Sequence, residues 1–170
     1  MDRINAWTTY EEADIKEMDS LCADYREFLN AGKTERECVK LIVKMADEKG
    51  YRNLADIIKN KETLKAGDKV YNVCMDKTVA MFNIGTDDME QGMAILGAHI
   101  DSPRMDVKQN PLYENGDFAY LDTHYYGGIK KYQWVALPLA IHGVVCKKDG
   151  RTIDISIGEC DKDPVFCVSD

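Results

Sequence analysis

The chain has 170 residues and a formal net charge of -8; 45% of its residues are hydrophobic and 31% charged. That composition is globular rather than disordered and suits one ordinary domain or somewhat more. The acidic balance, with Lys130-Lys131 and Lys147-Lys148 as isolated basic pairs, argues against nucleic-acid or anionic-membrane partners. The start, Met-Asp-Arg-Ile-Asn-Ala-Trp, lacks the apolar core of a signal peptide, and the longest apolar stretch, 135–146, is broken by Pro138, His142 and Gly143. The six cysteines include no Cys-x-x-Cys pair, and Cys22 and Cys38 fall on apolar helix faces, as reduced, buried thiols do. A cytoplasmic protein is expected.

Thr8 or Thr9, each followed three residues later by a Glu, offers a capping box for a first helix. Ile15, Met18, Cys22, Tyr25 and Leu29 then recur at helical spacing, which predicts an amphipathic helix to about Asn30. Thr34 and Glu37 form a second box, opening a helix over Cys38, Leu41, Ile42 and Met45 that Gly50 can end as a left-handed cap. Residues 53–58 can add a short helical turn.

From Lys69 the period changes. Residues 70–74 and 78–84 look like two strands around a turn at Asp76-Lys77, and 85–92 is an Asp- and Gly-rich loop. The unbroken apolar run 93–98 predicts a strand covered on both faces, with His99 and Asp101 at its C-terminal end. Beyond Pro103 the pattern alternates. Asn115-Gly116 marks a hairpin whose returning strand is 118–126, and Asp149-Gly150 marks another in the β-rich tail. The expected fold is α/β: N-terminal helices and part of a mixed sheet over 1–130, then the first strands of a mainly β unit over 131–170.

The stretch Leu-Gly-Ala-His-Ile-Asp-Ser-Pro (96–103) carries the clearest chemistry. In open α/β sheets ligands bind at the C-terminal ends of strands. In extended chain, residues two apart point to one side, about 6.5–7 Å apart at Cα. Asp101 can then support His99 as a carboxylate supports a metal-binding imidazole. The same pair is also what the polar end of a buried strand looks like. A zinc site takes three or four protein ligands, and the other histidines, His124 and His142, form no helical metal motif. Glu11-Glu12 reads as a helix start and Asp87-Asp88 as a solvated loop. No phosphate-binding glycine loop and no Gly-x-Ser-x-Gly elbow occurs.

Two elements carry a resemblance: Gly97-Ala98-His99-Ile100-Asp101-Ser102-Pro103, and Thr123-His124-Tyr125-Tyr126-Gly127-Gly128. Together they resemble the aspartyl aminopeptidase family of dinuclear zinc aminopeptidases, over most of the chain. The resemblance implies that His99 binds zinc and that Asp101 belongs to the catalytic machinery as the carboxylate that orients the site. His124 is not promoted to a ligand. It further implies a metal-activated water that hydrolyses the N-terminal peptide bond, peptide substrates and a homo-oligomer. Family members are much longer, and their other zinc ligands and Glu-Glu pair follow an inserted dimerisation domain. The resemblance thus makes this the N-terminal portion of a hydrolase, inactive alone. Two other readings stay open: a binding or oligomerisation module, and a mononuclear site built from His99, His124 and His142.

Overall fold

A computed structural model describes residues 3–168, and the chain divides into two compact units, Met1–His99 and Ile100–Asp170. In the first unit a 3-10 turn, Ala6–Thr8, precedes the helices. The hydroxyls of Thr8 and Thr9 donate back to Asn5 O at 2.7 Å and Ala6 O at 2.9 Å, so neither caps a helix as expected. A hydroxyl engaged by its own local turn is lost to the next element. Helix α1 (Glu12–Ala31) instead starts from Glu11, whose N–H donates to the Asp14 carboxylate at 2.9 Å.

Helix α2 (Glu35–Glu48) begins as its sequence predicts. Glu37 N–H donates to Thr34 Oγ1 at 3.3 Å, and Thr34 N–H donates to Glu37 Oε2 at 2.9 Å. It ends in a Schellman motif: Gly50 at φ 80° donates to Asp47 O, and Tyr51 to Ala46 O, both at 3.0 Å. Strand β1 (Arg52–Asn53) leads into the short helix α3 (Leu54–Lys59), which Asn53 caps by accepting from Ala55 N–H at 2.9 Å. Strands β2 (Lys69–Cys74) and β3 (Thr78–Asn83) complete a mixed sheet of order β1-β2-β3, parallel then antiparallel. The β2–β3 turn takes Met75 and Asp76 at φ 53° and 56°, one residue earlier than expected. Arg36 of α2 donates to Met75 O at 3.2 Å and ties the helix to that turn.

The buried core joins Cys38, Val39 and Ala46 of α2 to Ile57 of α3 and to Val70 and Tyr71 of β2. Desolvation, and then a hydrogen bond with Asp47, push the Tyr71 phenol above its ordinary pKa. Helix α1 packs against α2 but contributes no buried residue, and Leu21 and Tyr25 stand exposed. Cys22 is exposed too, contrary to expectation, while Cys38 is buried and none of the six cysteines is in a disulfide. An apolar stripe is buried only where an element faces it.

The larger departure is at 93–98. These residues take no regular secondary structure, and Leu96 is fully exposed. A strand covered on both faces needs neighbours to accept and donate its ladder hydrogen bonds. Among the described residues no strand pairs with this run.

The second unit is built from two hairpins. Strands β4 (Arg104–Asn115) and β5 (Phe118–Tyr126) form a long ribbon closed by Gly116 and Asp117 at φ 59° and 64°. Its register shifts between Val107 and Leu112, and Pro111, which cannot donate to a ladder, falls in that irregularity. Strands β6 (Ile141–Cys146) and β7 (Thr152–Ile157) pair antiparallel around the predicted Asp149-Gly150 turn. There the Arg151 guanidinium holds the Asp149 carboxylate below its ordinary pKa. Among the described residues no helix is long and apolar enough to cross a membrane.

Gly158, just past β7, sits at φ 104°, and an added Cβ would lie 2.9 Å from Ala140 Cα and 3.0 Å from Leu139 O. Gly158→Ala combines a disfavoured backbone angle with a backbone clash, an expected loss of about 2–4 kcal/mol. Urea titration of the chain checks this: the unfolding midpoint should fall clearly, and an unchanged midpoint would refute the packing described.

Candidate metal and peptidase site

His99 closes the first unit as an exposed residue outside any helix or strand. Asp101 lies at the start of the second unit and is half-buried. Its Oδ2 accepts a hydrogen bond from the Tyr126 hydroxyl at 3.0 Å. Tyr126 ends β5, paired across the ribbon with Arg104, the first residue of β4. The Arg104 guanidinium lies over the Tyr126 ring, 4.1 Å from its centroid, and its Nε donates to Asp106 Oδ1 at 2.7 Å.

Gly127 follows at φ 75°, and a Cβ there would lie 3.5–3.6 Å from Pro103. The backbone that leaves the ribbon therefore runs against the proline of Asp-Ser-Pro. In this way the Asp101-Ser102-Pro103 part of the first motif meets the second at one end of the β4–β5 ribbon. Tyr126 was legible as part of the Tyr-Gly-Gly element, but its partnership with Asp101 was not.

The other histidines have settings of their own. His124 is exposed, with Nδ1 3.3 Å from Tyr125 O. His142 Nε2 lies 2.8 Å from Glu159 Oε1. Among the described residues no group of three or more His, Cys, Asp and Glu side chains is arranged to hold a metal ion. The mononuclear three-histidine reading finds no such group here: His99 lies outside helix and strand, while His124 and His142 are on β5 and β6 with contacts of their own. Zinc held by protein takes three or four ligands, so the described residues do not hold it by themselves.

A cleft of about 340 Å³ in the first unit is lined by Asp47, Arg52, Asp56, Glu62 and Tyr71, among others. Its one cation, Arg52, is engaged by carboxylates. Arg52 meets Glu62 at 2.6 Å and Asp68 at 3.8 Å, and the Arg52 hydrogen bond holds the Glu62 carboxyl below its ordinary pKa.

Comparison with known proteins identifies the family. The family profile described as aminopeptidase I zinc metalloprotease (M18) matches residues 28–170. A probable M18 family aminopeptidase 1 of Clostridium acetobutylicum is 57% identical over 166 residues, covering 98% of this chain and 36% of the relative. The crystal structure of aminopeptidase I from Borrelia burgdorferi B31 superposes with a TM-score of 0.89 at 38% identity, over 98% of this chain and 40% of that one. A structure of the yeast mApe1 dodecamer matches with a TM-score of 0.70 at 17% identity, over 85% of this chain and 34% of that one, a likeness of fold. The chain thus spans little more than a third of the length of the curated relatives it matches. Its helices and mixed sheet are those of the catalytic domain of such aminopeptidases, followed by the start of the mainly β inserted domain. The chain belongs to the M18 family of zinc metalloproteases.

Proposed function

We propose that these residues are the N-terminal portion of a zinc aminopeptidase that releases N-terminal amino acids from peptides. In it His99 is a metal ligand, and Asp101 is the carboxylate that keeps that imidazole oriented. The observation that carries the reading is the Tyr126–Asp101 hydrogen bond, which joins the His-x-Asp-Ser-Pro and Tyr-Gly-Gly elements at 3.0 Å. Zinc, bound as one ion or as a pair, supplies Lewis acidity that lowers the pKa of a water and polarises a scissile carbonyl. The chain's own part is to hold and aim an imidazole. The other ligands and the general base come from residues outside these 170.

The catalytic domain takes in 1–130, and the inserted, mainly β domain starts at 131–170. The unit boundary at His99/Ile100 marks where the chain's contacts thin, between the run at 93–98 and the β4–β5 ribbon. The protein acts in the cytoplasm as a homo-oligomer, and the dodecameric assembly named for the yeast relative supports self-association. A binding or oligomerisation module is the competing reading.

The test is an assay of the complete polypeptide on a peptide with a free N-terminus and on the same peptide N-acetylated. Release from the free peptide alone, lost on chelation and restored by zinc, is the expected result. A chelator-insensitive activity, or none in a folded, zinc-loaded oligomer, would favour the module.

A further inference from the structure

We propose that residues 93–98 are the docking segment for the part of the polypeptide that follows residue 170: strands from that part flank the run and make it an interior strand of the completed catalytic domain. The inference rests on the reading of these residues as the N-terminal portion of a longer enzyme. The run Met93-Ala94-Ile95-Leu96-Gly97-Ala98 carries no charged and no hydrogen-bonding side chain. In extended chain Met93 and Ile95 point to one side, and Ala94 and Leu96 to the other. Ile95 is 79% exposed and Leu96 fully so, and Met93 stands in solvent with them. A strand apolar on one side suits the surface of a sheet. One apolar on both sides is the pattern of an interior strand with a layer packed on each face.

The backbone constrains the cover as much as the side chains do. Buried N–H and C=O groups need partners, and among the described residues no strand pairs with this segment. A helix or an apolar patch laid over the run would hide its side chains and leave its ladder groups unsatisfied, so the cover has to bring strands. A second copy of the chain is a poor source of them. An isologous contact pairs one edge of the run with its symmetry mate and leaves the other edge open, and a head-to-tail contact on both edges extends from copy to copy as a stack. Strands from the same polypeptide fill both edges once. The chain superposes over 98% of its length on the Borrelia structure with a TM-score of 0.89, yet spans only 40% of it. The path it takes is therefore that of a chain embedded in a longer protein, the larger part of which lies outside the superposed region. His99 follows the run directly, so docking also puts it at the C-terminal end of an interior strand, where open α/β sheets bind ligands.

Two measurements on the complete polypeptide test this, and neither depends on zinc or on turnover. Amide hydrogen exchange, read by mass spectrometry, should find 94–98 exchanging at least about 100-fold more slowly than an unstructured chain. With Leu96 replaced by the photo-crosslinker p-benzoylphenylalanine, irradiation should join position 96 to peptides that follow residue 170 of the same polypeptide. The exchange experiment uses the unaltered sequence, so it decides even where the replacement at 96 prevents folding. Exchange at unstructured-chain rates in a folded polypeptide would overturn the inference. So would a crosslink that doubles the mass on a denaturing gel, which marks a second copy as the occupant, or one confined to residues 1–170. The expected exchange and crosslink in a polypeptide without aminopeptidase activity would support the docking and count against the peptidase reading alone.

Discussion

His99→Ala in the complete polypeptide is expected to lose bound zinc and to reduce kcat/KM by more than the roughly 10–100-fold that loss of an outer partner costs. The reason is the difference between aiming a ligand and removing it. Zinc keeps a tetrahedral site with few protein ligands, so the loss of one imidazole opens a position that only water can fill. His99 is exposed and lies outside every helix and strand, so its truncation should leave the fold intact. Metal analysis after dialysis, beside circular dichroism, separates the two effects. Less zinc per chain with an unchanged spectrum is expected, and full zinc content would remove His99 from the site.

The second large effect is on stability. Val70 is 1% exposed and lies in the middle strand of the first unit's sheet, facing Arg52 of β1 and Phe82 of β3 in register. Strand β2 cannot slip, because a one-residue shift would exchange its two faces. Nor can a side chain at Val70 reach water past an edge. Val70→Asp therefore has to bury a charge or protonate it, at a cost of several kcal/mol. That is comparable with the total stability of a typical domain, about 5–15 kcal/mol. The first unit is expected to lose its cooperative thermal transition in the 170-residue chain. A melting temperature within a few degrees of wild type would mean that this core is not what holds the unit together.

What the sequence made legible was local. Thr34 with Glu37, Gly50 at its left-handed cap, the short helix within 53–58 and the Asp149-Gly150 turn act within a few residues and appear where predicted, while the Asn115-Gly116 hairpin closes one residue later, on Gly116 and Asp117. Thr8 and Thr9 misled because a turn begun at Asn5 takes their hydroxyls first. The run at 93–98 reads as a buried strand because its apolar composition is that of one, but composition cannot supply strand neighbours, and none of the described strands flanks it. The stripe along α1 is legible for the same reason and uncovered for the same reason. The candidate site was legible only in its residue types. His99 and Asp101 stand out by type and spacing, whereas Tyr126 is 25 residues from Asp101 and becomes its partner only through the ribbon that folds between them. Juxtapositions of that kind are a property of topology rather than of pattern.

The central claim is that these residues carry one part of a zinc aminopeptidase site and not the whole of it. The most direct measurement is an aminopeptidase assay on the purified 170-residue chain with added zinc or cobalt, beside His99→Ala in the same chain. A dinuclear site needs ligands and a proton acceptor that one imidazole and its supporting carboxylate do not supply. Both proteins should therefore hydrolyse aminoacyl substrates at the background rate and bind zinc only weakly. Turnover by the chain that His99→Ala abolishes would contradict the account, because these residues would then complete a catalytic site on their own.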